Sequence, residues 1–337
     1  MPIRVAVDAM GGDNAPAVVV DGVLMALEKS AGDLEVLLVG QESAIREELS
    51  RHNINGEHEG LQILHAPEVI GMAESPASAV KNKRESSIHF GLGAHKKGAA
   101  DAFISAGNTG AVMAASLFTL GRLPKVARPT LIGFIPTVKG NHSISVDMGS
   151  NVDCKPEHLV QFAQMGAIFA QKLWDRDDPS VALMNIGEEP GKGNEQVKAT
   201  YNLLEDRSDV NFVGNIEGRD LLYYAADVIV FDGFVGNIVL KFGESCMTTV
   251  LRQLVGEEMQ RLNFNDEQKG LVKTLLGSIS RRFNYEEYGG APLLGVDGNV
   301  LIGHGSSSAK AICQLILTAT RVVDLNIPEA ITEVLGD

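Results

Sequence analysis

Asp227-Val228-Ile229-Val230-Phe231-Asp232-Gly233-Phe234-Val235-Gly236-Asn237-Ile238-Val239-Leu240-Lys241 decides the fold class. Its first part, Val228 to Phe231, is apolar at every position rather than at alternate ones. That suits a strand covered on both faces, as parallel strands between two helix layers are. Directly after it comes a glycine-rich turn, Asp232 to Asn237. Similar short apolar, β-branched runs lie at 3–8, 34–39, 61–66, 102–105, 131–135, 143–147, 181–186 and 210–213, with helical patterns between them. This alternation predicts an α/β fold with a doubly wound, mostly parallel sheet sandwiched by helices.

No internal repeat, low-complexity tract or Pro/Ser-rich linker marks a boundary, so residues 1–337 are expected to form a single α/β/α catalytic domain. The stretch 244–288 is the least strand-like. It reads as two consecutive helices, a projecting element for dimerisation or membrane contact.

Composition narrows the function. The chain has 337 residues, 45% hydrophobic and 21% charged, which suffices for a sizeable core. A formal net charge of −14 argues against non-specific binding of nucleic acid or anionic lipid, since the summed field repels both. Any acidic partner must meet a local basic patch. Cys154, Cys246 and Cys313 are widely spaced and form no CxxC pair, which points to a reducing cytoplasm rather than a disulfide framework or zinc knuckle. The opening Met1-Pro2-Ile3-Arg4 lacks the apolar core of a signal peptide. No stretch approaches the ~20 apolar residues of a membrane span, which leaves peripheral association open.

In an open α/β sheet, ligands gather where strands end in glycine-rich turns that open helices, because unpaired N–H groups there hold anions. The first such turn is Asp8-Ala9-Met10-Gly11-Gly12-Asp13-Asn14. Paired glycines let the backbone approach a phosphate, and Asp8 and Asn14 can hold the loop. The second, Ser105-Ala106-Gly107-Asn108-Thr109-Gly110, has more hydroxyl and amide side chains than one helix cap uses. It matches neither GxxxxGK[ST] nor GxGxxG, so nucleotide binding gains little. Three later segments add polar groups: Asp147 to Asn151, Gly187 to Asn194, and Asp232 to Asn237. Lys192, between two glycines, is either a phosphate clamp or a solvated loop lysine. His304-Gly305-Ser306-Ser307-Ser308 precedes the helical run Ala309 to Thr320, where a serine can simply cap the helix. HExxH and GxSxG are absent and the histidines show no helix-borne pairing, so neither a metal nor a nucleophilic serine is expected. The generic reading is a phosphate-handling α/β enzyme without a cofactor that works by positioning and polarisation.

Further stretches join these turns in a specific order: VAVDAMGGDNAP (5–16), ESPASAVKNKRESSI (74–88), DAFISAGNTGAVMA (101–114), NVDCKPEHLVQFAQMG (151–166), NIEGRDL (215–221), DVIVFDGFVGNIVLK (227–241), YGGAPLLG (288–295) and HGSSSAKAI (304–312). Together they resemble the acyl-acyl-carrier-protein:phosphate acyltransferase family over nearly the whole chain. The resemblance implies a fold related to phosphotransacetylase and isocitrate dehydrogenase, a homodimer, and transfer of a long-chain acyl group from acyl carrier protein to inorganic phosphate. The acyl phosphate would feed a membrane glycerol-phosphate acyltransferase in phospholipid synthesis. Phosphotransacetylases carry a Gly-Asn-Ile turn matched by Gly236-Asn237-Ile238, and a Ser-Arg-Gly segment whose arginine holds phosphate. His304 falls at that arginine, and a histidine is only partly charged near neutral pH.

On this reading Gly11, Gly12, Ser105, Gly107, Asn108, Thr109 and Gly110 hold phosphate. His304, Ser306 and Asn237 face the carbonyl oxygen and leaving thiolate, Asp232 orients them, and Lys192 joins the catalytic set. Carrier proteins are acidic, so docking is expected at Lys83 and Arg84, Lys96 and Lys97, or Lys273 with Arg281 and Arg282. From Lys269 to Phe283, Leu271, Val272, Leu275, Leu276, Ile279 and Phe283 fall within an arc of roughly 140°. Leu271, Leu275 and Ile279 are the expected membrane contacts, although a core or dimer helix has the same pattern.

Overall fold

The computed structural model describes residues 1–282 and 289–336 and divides them into two compact units. The first combines residues 1–132, 171–175 and the described residues from 289 onward; the second comprises 133–170 and 176–284, described to 282.

In chain order the elements are β1 (Ile3–Asp8), α1 (Ala17–Ser30), β2 (Leu34–Gly40), α2 (Glu42–Arg51), β3 (Leu61–His65), α3 (Pro76–Asn82), α4 (Ser87–Lys96), β4 (Ala102–Ser105), α5 (Thr109–Thr119) and β5 (Thr130–Pro136). The second unit follows with β6 (His142–Val146), α6 (Pro156–Trp174), β7 (Ser180–Met184), α7 (Glu195–Glu205), β8 (Asn211–Ile216), β9 (Val228–Val230), α8 (Gly233–Ser245), a π-helical stretch (Cys246–Leu254), α9 (Val255–Arg261) and α10 (Asp266–Arg282). The chain then returns to the first unit with β10 (Ala291–Leu294), β11 (Val300–Ile302), α11 (Ala309–Asp324) and α12 (Ile327–Gly336).

The first unit's sheet runs β3-β2-β1-β4-β11-β10-β5. Its strands are parallel from β3 to β11, whereas β10 runs antiparallel to both β11 and β5. Consecutive residues Val5, Ala6 and Val7 are all buried, so β1 is covered on both faces. Ala6 shares a core with Ile88 and Leu92 of α4, Val112 of α5 and Phe103 of β4. Elsewhere in the unit α1 packs on α11 without side-chain clearance: a Cβ on Gly22 would lie 2.6 Å from Ile312 Cβ.

In the second unit β6-β9-β7-β8 is parallel throughout. Val228 and Val146 face α6, where a Cβ on Gly166 would meet them at 2.7 and 2.9 Å. Neighbouring Ile229 instead joins Ala182, Phe231 and the α8 residues Val235 and Val239. Adjacent residues of β9 therefore serve opposite helix layers, as the run at 228–231 predicts. Both units are doubly wound α/β sheets, and their strand ends carry the glycine turns.

Candidate active site

In the first unit the turns after β1 and β4 meet at Gly11. A Cβ there would lie 2.6 Å from Asp8 Oδ2, 2.7 Å from Gly107 N and 2.9 Å from Ser105 Oγ, so only glycine lets the turns touch. Asp8, 2% exposed, sits beneath them. Its Oδ1 accepts from Met10 N at 3.0 Å, and its Oδ2 accepts the Ser105 hydroxyl proton at 2.6 Å. The Ser105 oxygen in turn accepts from Gly107 N at 3.0 Å. A hydroxyl has one proton, so that of Ser105 is directed at Asp8 and the side chain shapes the turn. Burial pushes the Asp8 carboxyl above the ordinary carboxylate range, against the opposing pull of bonds from Ser105, Ser87, Met10 and Gly11.

Asn108 caps α5 by accepting from Ala111 N at 3.1 Å, while its Nδ2 donates to the carbonyls of Glu74, Met72 and Gly71. The side chain thus holds structure, and what the turn leaves for a ligand is the set of N–H groups that open α5, from Asn108 through exposed Thr109 to Gly110.

The turn before α11 joins the same cluster. Gly305 O accepts from Asp13 N at 2.8 Å and lies 3.1 Å from where a Gly12 Cβ would be. Exposed His304 accepts the Ser306 N–H at Nδ1 at 3.2 Å, and the same nitrogen lies 2.8 Å from the Ser306 hydroxyl oxygen. A nitrogen that accepts from a backbone N–H carries no proton, so the neutral ring carries its proton on Nε2. From there it can be donated in a hydrogen bond to an oxyanion or a thiolate. The first unit therefore brings together Gly11, Gly12, Ser105, Gly107, Asn108, Gly305, His304 and Ser306.

The second unit holds the remaining predicted residues. Buried Asp147 accepts at Oδ1 from Gly149 N, Ser150 N and the Ser150 hydroxyl, and at Oδ2 from both Asn151 N and Nδ2. That turn interlocks with the first turn of α8, since a Cβ on Gly236 would strike Asp147 O at 2.0 Å. Asp232 Oδ1 accepts from Val235 N at 2.9 Å as the cap of α8, and Asn237 packs against Gly149. Exposed Lys192 is held by its carbonyl, which accepts from Asn185 Nδ2 at 3.1 Å.

The docking candidates separate. Lys83 Nζ donates to Glu74 Oε1 at 2.5 Å and Val69 O at 2.7 Å, whereas Arg84 is exposed and its Nε donates to Lys81 O at 3.4 Å. Lys273 is exposed on α10, and the side chains of Arg281, Arg282 and Phe283 lie outside the described residues. Leu271 and Leu275 are 67% and 61% exposed, and Ile279 is half-buried. Sequence reasoning missed Met72 and Glu74, which Asn108 draws to the cluster across more than thirty residues. The match over 74–88 was the only signal there.

The model of the family described as fatty acid synthesis protein matches residues 3–330. A protein of Salinibacter ruber named phosphate acyltransferase is 55% identical over 330 residues, spanning 98% of this chain and 97% of its own. One of the same name from Chlorobaculum parvum is 45% identical over 341 residues, with 99% of each chain covered. Among solved structures, a phosphotransacetylase from Streptococcus pyogenes superposes with a TM-score of 0.61 at 18% identity, covering 96% of this chain and 94% of that one. A branched-chain phosphotransacylase from Enterococcus faecalis V583 gives 0.61 at 16% identity, with 95% and 99% covered. These two likenesses establish the fold alone, and the doubly wound expectation agrees with them. The sequence match over nearly the full length goes further: the chain belongs to the fatty acid synthesis protein family, together with proteins named phosphate acyltransferase.

Proposed function

We propose that this protein is an acyltransferase that moves a long-chain acyl group from the thioester of acyl carrier protein to inorganic phosphate, giving an acyl phosphate for phospholipid synthesis. The observation that carries this reading is the meeting of two glycine turns at Gly11, beside a histidine whose neutral ring presents a proton on Nε2. Phosphate is already a nucleophile and needs desolvation, orientation and stabilisation of the oxyanion that forms. The N–H groups of Gly12 and of Asn108 to Gly110 bind it. A phosphate oxygen attacks the thioester carbonyl carbon, the tetrahedral oxyanion collapses, and the carbon–sulfur bond breaks. The proton lost by hydrogen phosphate ends on the carrier thiol by way of water, while the His304 Nε2–H donates a hydrogen bond to the oxyanion and departing sulfur and Ser306 orients the ring. In the second unit Asn237 and Asp232, the cap of α8, are assigned to the reaction by their place in the 227–241 match, and Lys192 by its position between two glycines.

Exposed Arg84 and Lys273 are the carrier-docking cations, and the apolar side chains of the 246–282 stretch serve dimerisation and peripheral membrane contact. Among the described residues no helix is long and apolar enough to cross a membrane.

The test is trapping of acyl phosphate with hydroxylamine after incubation with palmitoyl carrier protein and phosphate, with palmitoyl-CoA in parallel. Phosphate-dependent product from the carrier thioester is expected, and product from neither donor overturns the reading. His304→Ala and Asn237→Ala, each correctly folded, should lose turnover; near-normal rates in both would overturn the residue assignment.

A further inference from the structure

The segment Gly71-Met72-Ala73-Glu74 belongs to no helix or strand, yet side chains fix it from two directions. Asn108 Nδ2 donates to Glu74 O at 2.9 Å, Met72 O at 3.1 Å and Gly71 O at 3.4 Å. Glu74 Oε1 closes the loop on itself by accepting from Gly71 N at 2.7 Å, and Lys83 Nζ clamps both Glu74 Oε1 and Val69 O. The next residues are held as closely, since a Cβ on Gly110 would lie 2.7 Å from Pro76 Cγ. The lysine ammonium, then the Gly71 N–H, holds the Glu74 carboxyl below the ordinary range, so the clamp stays charged near neutral pH.

This strap places one apolar side chain at the candidate site. Met72 is 42% exposed, and a Cβ built on Gly305 would lie 2.4 Å from Met72 Cε. The next nearest atoms to that point are the Asp13 carboxylate oxygens, at 3.6 and 3.7 Å. The methyl thus lies where the 304–306 turn meets Gly12 and Asp13, among backbone and polar groups. A singly exposed methionine is ordinary on a loop free to move. Here the backbone is held at its carbonyls by a buried asparagine, so the side chain starts from a fixed Cα and its thioether stays within reach of the 304–306 turn.

Of the two proposed substrates, phosphate offers nothing apolar, whereas the thioester donor offers sulfur and methylenes on either side of its carbonyl. An unbranched, polarisable thioether suits such a surface. We infer that Met72, held by the Gly71–Glu74 strap, is a specificity-determining contact for the apolar part of the acyl thioester donor, and that Lys83 is a positioning residue acting through Glu74 rather than a docking cation. This rests on the phosphate acyltransferase reading.

The test compares the full-length wild type with Met72→Ala, Met72→Leu and Lys83→Met, with folding checked by thermal melts. Met72→Ala should raise KM for palmitoyl carrier protein about tenfold, the scale of losing a small apolar contact, while KM for phosphate stays within about twofold. Met72→Leu should restore most of the loss. Lys83→Met should follow Met72→Ala, with the same defect for palmitoyl-CoA and no relief at high salt, where the effect of a docking cation on either anionic donor would shrink. Unchanged donor KM in Met72→Ala, or equal changes for donor and phosphate, overturns the Met72 assignment; a Lys83→Met defect confined to the carrier protein overturns that of Lys83. Donor binding by fluorescence anisotropy without phosphate keeps the two readings apart. Absence of wild-type turnover sinks the acyltransferase reading, and equal donor affinity in wild type and Met72→Ala sinks the Met72 contact by itself.

Discussion

Gly11 is where a single atom decides whether two turns meet. A methyl there would fall within 2.9 Å of three polar atoms belonging to Asp8, Gly107 and Ser105. Gly11→Ala should therefore cost about 1–3 kcal/mol in denaturant unfolding, typical of an overpacked site, and abolish acyl phosphate formation. Full activity would mean that the turns need not touch. Asp8 below them has a pKa raised by burial. Its contribution to stability is fully present below the unfolded carboxylate pKa of about 3.9 and is lost as pH rises through the higher folded value. Asp8→Asn is isosteric and keeps an acceptor for Met10 N, but it does not titrate. The melting temperature of the wild type relative to this variant should fall as pH is raised from about 4 towards neutrality. Parallel melting curves across that range would show that burial leaves the carboxyl unperturbed.

At the scale of elements, α1 and α11 are in contact because Gly22 has no side chain. A Cβ there would lie 2.6 Å from Ile312 Cβ and 2.8 Å from Ala309 O, and part of that obstacle is backbone. Alanine gains roughly 0.5–1 kcal/mol over glycine in a helix interior, which overpacking of about 1–3 kcal/mol outweighs. Gly22→Ala should thus destabilise. Gly93→Ala on α4, where nothing lies within 4 Å of the new atom, should stabilise by the propensity term. Chemical denaturation of the pair should give opposite signs; equal signs would show that helix propensity alone governs both. Elements of this kind were mostly legible in the sequence, since runs such as Val228 to Phe231 show their burial in their composition. β10 and β11 were not. With four and three residues between glycines, they carry too little pattern, and their strand character comes from lying between β4 and β5. The site was legible in the same degree: glycine turns and His304 stand out as letters, but the bonds of Asn108 to residues 71–74 and of Lys83 to Glu74 depend on the fold bringing distant chain together.

For the whole molecule, a net charge of −14 opposes any acidic partner, so the proposed carrier docking requires local cations, and Arg84 is one of those proposed. Arg84→Glu should raise KM for the carrier-protein donor and leave that for phosphate unchanged, with the defect shrinking as salt screens the charges. Equal effects on both substrates would place Arg84 elsewhere in function. Leu275, 61% exposed on α10, tests membrane contact: Leu275→Glu should lose co-flotation with liposomes, and retention at the wild-type level would remove that role. The division of the chain carries a consequence for synthesis. Residues 133–170 and 176–284 make the second unit almost unbroken, whereas the first waits for β10, β11 and α11, which follow residue 284. While the ribosome works through the intervening stretch, β4, buried along its length in the finished molecule, has no β11 beside it. A nascent chain halted there offers a bare strand edge to its neighbours until Ile302 has been added.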